Sequence, residues 1–253
     1  MNFNNIDTNK LKKNEYENTA IVNSYREDVI RIGLWESEML LYNKYLNKED
    51  VILDLGCGAG RTTFSLYELG YKRLTGLDCS SHMIQVCNEI ASERKVNINF
   101  IVGDACKLPF KDREFDKCIF SFNGLTTIPG RYSRRKALLE INRILKENGI
   151  FIFTTHDIKN SKYKKFWELE KIKWTNNLQD KRLTEFGDII YTTEIDGEKI
   201  EGFTHIPSYE EIIDDLKFSN FKLMYASTDE STDKMNKLIR ETSNGCIFWV
   251  ARK

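Results

Sequence analysis

Three glycines at alternate positions, directly after a short apolar segment, are the first residues in this chain that indicate chemistry. Residues 51–55 read Val-Ile-Leu-Asp-Leu, and Gly56, Gly58 and Gly60 follow them. A short apolar run bounded by a turn signal is typical of a buried parallel strand. Glycine permits backbone angles that a Cβ forbids, and it lets a ligand approach the main chain closely. The segment therefore predicts a strand that ends in a ligand-binding loop.

Two acidic residues stand at the ends of the next two predicted strands. Asp78 closes the strand predicted over 73–78, and Asp104 follows the strand predicted over 98–102. Ligands of open α/β sheets bind at the carboxyl ends of the strands, so both carboxylates are expected beside the glycine loop. A carboxylate can accept protons from two vicinal hydroxyl groups, and such charge-assisted bonds are the stronger kind. Together these features predict a site for a nucleotide-like ligand.

The position of the third glycine separates this loop from two other nucleotide-binding loops. A dinucleotide-binding fold requires G-x-G-x-x-G, in which the third glycine lets the helix pack closely. Arg61 holds that position here, and the third glycine comes one residue earlier, at Gly60. A P-loop requires Gly-Lys followed by Ser or Thr, and the sequence contains no such run. The spacing therefore favours neither of these two loops.

Strands that alternate with helices are expected to bring these residues to one edge of a sheet. This alternation predicts a parallel sheet with right-handed crossovers. Helices are predicted over 61–69, which Gly70 ends, over 80–91, which Ser80 caps, and over 131–146. The predicted strands cover residues 51–55, 73–78, 98–102, 116–122, 150–155, 221–226 and 246–251.

Ahead of the first strand, one amphipathic helix is predicted. Its apolar residues recur at steps of three and four, namely Ile32, Trp35, Met39, Tyr42 and Leu46. Residues 1–20 are polar and are expected to be loose or to cap the core. Tyr16, Tyr25 and Trp35 could fold over a ligand, although packing against the core is favoured for Trp35. These residues belong to a predicted N-terminal helical cap, residues 1–48.

The chain changes character after the fifth predicted strand. Residues 159–182 are rich in Lys, Trp and Phe, whereas 185–215 carry ten acidic residues and one Lys. Asp196-Gly197 lies between two short β-type segments and is a hairpin signal. Ser208 and Glu211 form a capping box that opens a helix to about residue 217. Residues 157–206 are therefore predicted to be an inserted substrate lid, and residues 49–156 and 207–253 the core.

Composition and charge exclude several other classes of protein. Of 253 residues, 41% are hydrophobic and 30% charged, and basic and acidic residues both number 38. No run approaches the roughly 20 apolar residues of a membrane span. The six cysteines include no C-x-x-C pair, which favours reduced thiols in a cytoplasmic protein over disulfides or zinc. We therefore expect no metal site, no membrane partner and no general affinity for nucleic acid.

The pattern hydrophobic-Asp-x-Gly-x-Gly-x-Gly resembles motif I of the class I S-adenosylmethionine-dependent methyltransferases. Gly103-Asp104-Ala105 is similar to the adenine clamp of that family, and Leu108-Pro109-Phe110 to its lead-in to the fourth strand. The resemblance covers about residues 50–155. It implies a Rossmann-like, doubly wound and mostly parallel seven-stranded sheet, with S-adenosyl-L-methionine as the cofactor.

The resemblance also implies which residues contact this cofactor. Asp78 is expected to bind the ribose, Asp104 the exocyclic amine of the adenine, and Asp54 the loop amides and the methionine amine. Alternatively, Asp54 caps the loop, Asp104 caps a helix, and Cys57 is present only because it is small. The predicted contacts are Tyr25, Asp54, Gly56, Cys57, Gly58, Gly60, Asp78, Cys79, Met83, Asp104, Ala105 and Ser121.

Methyl transfer is an in-line displacement in which the protein mainly positions and desolvates the reactants. A general base is required only when the nucleophile arrives protonated. Asn123, Tyr132, His156 and His205 are the candidates, because they lie near the ends of the fourth and fifth strands or in the insertion. For each of them, a structural role is the alternative.

The residues at the end of the fourth predicted strand indicate which class of acceptor is methylated. The strand end reads Ser121-Phe122-Asn123-Gly124. Methyltransferases of exocyclic base amines resemble one another in an Asn/Asp-Pro-Pro-aromatic segment at this place, and that segment is absent here. Cys118 lies too early for the Pro-Cys of enzymes that make 5-methylcytosine. We therefore expect methylation of a small metabolite at N or O. RNA methylation through the basic residues at 131–136 and a non-catalytic, cofactor-binding regulatory module are the alternatives.

Overall fold

Alternating strands and helices build a doubly wound sheet in the computed structural model, which describes residues 3–159, 163–195, 197–227 and 245–253. The strands of the sheet are β1 Ile52–Leu55, β2 Leu74–Asp78, β3 Asn99–Val102, β4 Phe115–Phe120, β5 Leu145–His156, β8 Lys222–Ala226 and β9 Cys246–Arg252. A separate hairpin is formed by β6 Asp188–Ile195 and β7 Glu198–His205. The helices are α1 Phe3–Glu17, α2 Thr19–Arg31, α3 Glu36–Tyr45, α4 Arg61–Glu68, α5 Ser81–Arg94, α6 Arg131–Ile144, α7 Lys164–Thr175 and α8 Tyr209–Phe218.

The seven-stranded sheet has the order β3-β2-β1-β4-β5-β9-β8. Strands β1 to β5 are parallel, and only β9 runs antiparallel to its neighbours β5 and β8. The chain moves outward from β1 to β3 and then returns to the other side of β1 as β4. This reversal is the place where ligands bind in open α/β sheets. The predicted fold class is confirmed.

Apolar residues on both faces of the sheet hold the helices against it. On one face, Ile52 and Ile119 pack with α4, α5 and the N-terminal helices. On the other face, Leu53, Cys118 and Phe151 pack with α6 and α8. All four residues of β1 are buried, so its short apolar sequence reflects burial on both sides. The strand that leads into the glycine loop is therefore held on every side.

The N-terminal part of the chain differs from the prediction. Residues expected to be loose form α1, and the chain continues after one residue into α2. Asn18 caps α2, because its Oδ1 accepts a hydrogen bond of 2.9 Å from the amide of Ala20. A polar helix gives little apolar periodicity, so the pattern of residues 1–20 did not indicate one.

The helix predicted over Ile32 to Leu46 is shorter than expected. Its first turn is missing because Ile32 ends α2 and Gly33 has a φ of 61°. Helix α3 begins at Glu36, and Trp35 is its N-cap residue. The amide of Trp35 donates to Glu38 Oε2 at 2.8 Å. Trp35 is therefore not part of a helical stripe.

Several local predictions are confirmed. Gly70 follows the end of α4 with a φ of 96°. Ser80 Oγ accepts from the amide of Met83 at 3.1 Å and caps α5. Ser208 Oγ accepts from the amide of Glu211 at 3.1 Å and caps α8. In each case a single residue with the required chemistry marks a terminus of the helix, the N-terminus for the two serines and the C-terminus for the glycine.

The chain between β5 and α8 contains α7 and the β6–β7 hairpin. Asp196, half of the predicted hairpin turn, lies outside the described residues, although β6 and β7 pair antiparallel on either side of it. The division into cap, core and lid stays a prediction. In the part of the chain that the structure describes, no helix combines the length and the apolar character needed to cross a membrane.

A buried ion pair fastens the N-terminal helices to the glycine loop. Arg61, the first residue of α4, lies 2.7 and 2.8 Å from the two carboxylate oxygens of Glu38. Its guanidinium also donates to the main-chain oxygen of Gly33. The two side chains are 9% and 1% exposed. Removing one partner of such a pair leaves the other charge buried and unpaired, which is strongly destabilising.

We expect Glu38→Gln to lower the free energy of unfolding by about 3 kcal/mol, because the Arg61 charge would then lack its carboxylate. Urea unfolding followed by circular dichroism measures this. Arg113→Gln is the matched control, since it breaks the exposed pair with Glu147. Equal stability of the Glu38 and Arg113 variants would contradict a structural role for the buried pair.

Candidate functional site

A cavity lies at the carboxyl ends of β1 to β4, where the strand order reverses. Its volume is about 370 Å³, which is at the low end of sites that hold one small ligand. The glycine loop, both acidic strand ends, the end of β4 and the first two helices contribute to its walls. Eight of the predicted cofactor contacts line it, namely Tyr25, Gly56, Gly58, Asp78, Cys79, Asp104, Ala105 and Ser121.

The glycine loop can be built only from glycine at two of its positions. Gly56 and Gly58 have φ values of 64° and 53°, in the left-handed region. A Cβ on Gly56 would lie 2.5 Å from the ring of Phe120, and one on Gly58 would lie 3.1 Å from the ring of Tyr25. Tyr25 therefore rests directly on the loop, and both backbone angle and space exclude a larger residue.

Asp78 is held by two amides at the edge of the cavity. Its Oδ2 accepts from the amide of Gly58 at 2.9 Å, and its Oδ1 from the amide of Ser80 at 2.9 Å. Burial raises the pKa of Asp78, and the two amide bonds act against this rise. A carboxylate offers about four lone-pair positions, so two remain for a ligand. This arrangement fits a group that presents two adjacent hydroxyls.

Asp104 lies beyond β3 in a short turn of its own. Its Oδ1 accepts from the amide of Cys106 at 2.8 Å. The residues on either side, Gly103 and Ala105, also line the cavity. A Cβ on Gly103 would lie 2.7 Å from Leu77, so this strand end approaches its neighbour closely. The carboxylate also has capacity to accept a hydrogen bond from an amine donor of a ligand.

Helix α1 supplies a wall of the cavity that the sequence analysis did not predict. Asn9, Lys12 and Tyr16 line the cavity from this helix. The positive charge of Lys12 lowers the pKa of Asp78, against the effect of burial. A helix of such polar composition gives no core-facing pattern, and only its tyrosine had indicated a ligand.

The end of α1 is docked on the start of α5, beside Asp78. Ser80 Oγ donates to the main-chain oxygen of Tyr16 at 2.7 Å. The amide of Ser81 donates to Glu17 Oε1 at 3.1 Å. A carboxylate at the first turn of a helix is stabilised by the helix dipole. These contacts tie α1 to the turn that holds the Asp78 carboxylate.

A second set of contacts joins α1 to the β6–β7 hairpin. Tyr191 Oη donates to Glu15 Oε1 at 2.6 Å, and Asn18 Nδ2 donates to Glu198 Oε2 at 3.3 Å. A Cβ on Gly202 would lie 2.6 Å from Glu15 Oε2, so Glu15 packs against the main chain of β7. Burial raises the pKa of Glu15 above its usual 4.5. We call α1 and the hairpin together the cover.

Two residues after β4 adopt left-handed backbone angles. Phe122 and Asn123 have φ values of 51° and 60°, which is unusual for a bulky aromatic residue. The ring of Phe122 lines the cavity, lies 4.7 Å from the ring of Trp35, and is 4.2 Å from the Arg61 guanidinium. Left-handed non-glycine residues cluster at ligand sites, where the surrounding structure holds them. This turn carries an aromatic surface into the cavity.

Asn123 and His156 form a pair beside this turn. Asn123 Nδ2 donates to His156 Nε2 at 3.2 Å, and the Asn123 amide donates to Thr154 Oγ1 at 2.8 Å. In this arrangement the neutral imidazole carries its proton on Nδ1. Burial lowers the pKa of His156 below 6.5, so the ring is neutral at pH 7. Of the four candidates for catalysis, Tyr132 alone lines the cavity.

Four predicted cofactor contacts do not line the cavity. Asp54 is fully buried below the loop, where its Oδ2 accepts from Thr63 Oγ1 and burial raises its pKa to about 7. Cys57 packs against Gly76, because its Sγ would lie 3.1 Å from a Cβ placed on that glycine. Gly60 caps α4, and Met83 is 1% exposed in the core. These residues shape the loop from behind.

His205 is not placed to act as a general base. It is completely buried, and both of its ring nitrogens are bonded, Nδ1 to Asp188 at 2.9 Å and Nε2 to Glu211 at 3.1 Å. Burial alone would lower the pKa of His205, but the two carboxylates raise it above 6.5. A base needs a free nitrogen within reach of a substrate. The prediction of catalysis by His205 is therefore replaced by a role in fastening the hairpin to α8.

The same cluster has the geometry of a metal site but the charges of an ion-pair cluster. Glu185, Asp188 and His205 offer ligand atoms that lie within 4.8 Å of one another. Arg134 Nη2 lies 2.9 Å from Glu185 Oε1 and 3.0 Å from Glu211 Oε1. Arg134 and His205 already pair with these carboxylates. We assign no metal to the cluster.

Comparison with known proteins supplies the family. Residues 46–200 match a family model described as a methyltransferase domain. An uncharacterized protein of Methanocaldococcus jannaschii is 32% identical over 203 residues, which are 80% of this chain and 74% of that protein. A demethylmenaquinone methyltransferase of Staphylococcus haemolyticus is 36% identical over 102 residues, 40% of this chain and 41% of that protein.

The fold is also that of solved methyltransferases. A structure of an S-adenosylmethionine-dependent methyltransferase from Methanosarcina mazei aligns with a TM-score of 0.67 and 23% identity. The alignment covers 88% of this chain and 99% of the other.

We expect His205→Gln to destabilise the protein by about 3 kcal/mol at pH 5.5, because two buried carboxylates lose their cationic partner. The folded pKa of His205 is raised, so its contribution is present below pH 6.5 and is lost as the pH rises through that folded pKa. The pKa of Glu211 is lowered to about 2, so its contribution is lost only as the pH falls toward that value.

Urea unfolding of both proteins at pH 5.5 and pH 8.5 tests this dependence. The difference in free energy between wild type and His205→Gln should shrink at the higher pH. His82→Gln, which alters an exposed histidine, serves as the control. A difference that stays constant between the two pH values would mean that His205 is neutral in the folded protein.

Proposed function

Because the chain belongs to the class I S-adenosylmethionine-dependent methyltransferases, with S-adenosyl-L-methionine as its cofactor, we propose that it methylates a nitrogen or oxygen of a small metabolite. The observation that carries this proposal is the covered cavity in which Gly58, Asp78 and Asp104 meet. S-adenosylmethionine supplies, when bound, a methyl group on a positively charged sulfur. The residues of this chain bind the cofactor and the acceptor, align their reacting atoms and exclude water from them.

The cofactor contacts follow from the hydrogen-bonding capacity that remains at the site. Asp78 accepts the two ribose hydroxyls, and its bonds to Gly58 and Ser80 fix the carboxylate before the ligand arrives. Asp104 accepts the adenine amine, and the amide of Ala105 donates to the ring. Tyr25 and Ser121 complete the cavity around the methionine part. A carboxylate fixed in advance costs little reorganisation on binding.

The aromatic turn after β4 positions the acceptor. The ring of Phe122 lines the cavity together with Ile128, Pro129 and Tyr132, which makes this end of the cavity largely apolar. Alignment of the reacting atoms alone can supply roughly 7–11 kcal/mol of the barrier. If the acceptor arrives protonated, Tyr132 is the candidate base that lines the cavity, because Nε2 of His156 already accepts from Asn123 and its Nδ1 carries the proton.

The cover supports a small acceptor over a polymer. Helix α1 lines the cavity and is itself held by the hairpin, so an RNA strand would have to enter a site that α1 partly covers. The arginines of α6 are also engaged, because Arg131 and Arg135 both bind Asp215, at 2.8 and 2.7 Å. Arg134 is paired with Glu185 and Glu211. Three of the basic residues that had suggested RNA, Arg131, Arg134 and Arg135, are therefore engaged in ion pairs within the protein.

We further propose a cytoplasmic location. All six cysteines are free thiols, and Cys57, Cys87 and Cys118 are buried among apolar residues. Free buried thiols are typical of a reducing compartment.

S-adenosylhomocysteine, the demethylated cofactor, should raise the melting temperature by about 5–11 °C at 100 times its dissociation constant, since such saturation adds about 2.7 kcal/mol. Asp78→Ala should remove most of this shift. Asp214→Ala, which alters an exposed acid on α8, should retain it. A full shift of the melting temperature in the Asp78 variant would reject the ribose assignment. A shift with NAD but not with S-adenosylhomocysteine would reject S-adenosylmethionine as the cofactor.

Incubation with methyl-labelled S-adenosylmethionine and separate pools of small metabolites and RNA tests the acceptor. We expect label in the metabolite pool and a reduced rate in Tyr132→Phe when the acceptor carries a proton. Label in RNA, with binding that weakens steeply as salt rises, would replace this proposal. Tight cofactor binding without any labelled acceptor would favour the regulatory module.

A further inference from the structure

Helix α7 exposes large apolar side chains instead of burying them. Leu169, Ile172 and Phe166 are 60%, 58% and 40% exposed. At 100° per residue, Phe166 and Ile172 lie about 60° to either side of Leu169. The three side chains therefore form one continuous stripe. Exposed apolar patches of this kind mark sites of interaction with proteins or membranes.

Two lysines lie within the same stripe. Lys165 and Lys173 project about 40° to either side of Leu169, and both are exposed. The acids of the helix, Glu168 and Glu170, project about 100° away on the two flanks. Glu170 is paired with Lys173 at 2.6 Å. We call Lys165, Phe166, Leu169, Ile172 and Lys173 the α7 face.

The opposite side of α7 is anchored to the rest of the insertion by aromatic rings. Trp167 is buried and lies 5.7 Å from Phe186, while Trp174 lies 6.3 Å from the same ring. Phe186 stands just before β6, the first strand of the hairpin. The orientation of the α7 face toward solvent is thus fixed by packing on its other side.

The surroundings of the α7 face extend its apolar character, and two acids beside it are ion-paired. Leu178 is 72% exposed and lines a groove with Phe166 and Lys173. Asp180 and Glu201 line the same groove, but Arg182 pairs with both, at 2.8 and 2.9 Å.

We propose that the α7 face docks the protein on an anionic lipid surface. A helix with lysines beside protruding Phe, Leu and Ile side chains lies in the plane of the membrane interface, with its apolar residues between the lipid headgroups. The lysines add attraction to anionic headgroups. The apolar side chains of the stripe are exposed, which suits their insertion between lipid headgroups.

A second copy of the chain fits this face less well. In a two-fold symmetric contact the same patch meets itself, so Lys165 and Lys173 would face the lysines of the other copy. Surface docking also needs no membrane-spanning helix. The sequence analysis expected no membrane partner because it found no such span, and the α7 face revises that expectation for the surface of a membrane alone.

Co-sedimentation of the full chain with vesicles tests the proposal. The vesicles contain either equal parts of phosphatidylglycerol and phosphatidylcholine or phosphatidylcholine alone. We expect binding to the anionic vesicles that is at least tenfold weaker for Leu169→Glu/Ile172→Glu and for Lys165→Glu/Lys173→Glu. The matched control is Leu69→Glu/Leu139→Glu, which alters exposed leucines of other helices, 42% and 41% exposed. It should bind like the wild type.

A fluorescent reporter and the molecular mass complete the test. Phe166→Trp should show a larger blue shift of its emission on anionic vesicles than Leu69→Trp, since both variants also carry the four native tryptophans. Melting temperatures equal to that of the wild type verify that the variants are folded. Absence of vesicle binding by the wild type, or equal binding by all variants, overturns the proposal. A wild-type dimer that the α7-face variants convert to a monomer in the absence of lipid also overturns it, in favour of an interface between copies.

Discussion

The carboxylate of Asp78 is the interaction on which the arrangement of the site depends. It accepts one hydrogen bond from an amide of the glycine loop and one from an amide of the turn that opens α5. Ser80, whose amide donates the second of these bonds, also caps α5. Its hydroxyl donates to the main chain of α1. Two loops and one covering helix therefore meet at a single buried acid. The burial that raises the pKa of this acid also makes the two amide bonds strong.

The sequence alone predicted those parts of the site whose residue types are demanded by the backbone or by the ligand. Gly58 needs a left-handed φ and room for a ring, and Ser80 and Ser208 are chemically suited to cap helices, so each could be recognised locally. The order of the glycines separated one class of nucleotide ligand from another. Strand alternation was enough for the fold, because a buried parallel strand such as β1 has few alternatives.

Residues whose role depends on distant contacts could not be predicted in the same way. Lys12 lines the cavity from a polar helix that has no periodic apolar pattern. His205 had the right chemistry for a base, but the carboxylates of Asp188 and Glu211 occupy both of its nitrogens. Asp54 directly precedes the cavity residue Leu55, and Met83 follows Cys79 by about one helical turn, but both face the core in the structure. In each case tertiary packing, which a single sequence does not reveal, decided the outcome.

The bond between Glu15 and Tyr191 joins residues that are 176 positions apart. During synthesis the N-terminal segment leaves the ribosome first, but the strands against which it packs are made much later. Closing so long a loop is entropically costly until most of the chain is in place. The sheet and the glycine loop can therefore form while α1 is still undocked. We therefore expect α1 to complete the roof of the cavity only after the hairpin has been made, although α1 precedes the glycine loop in the sequence.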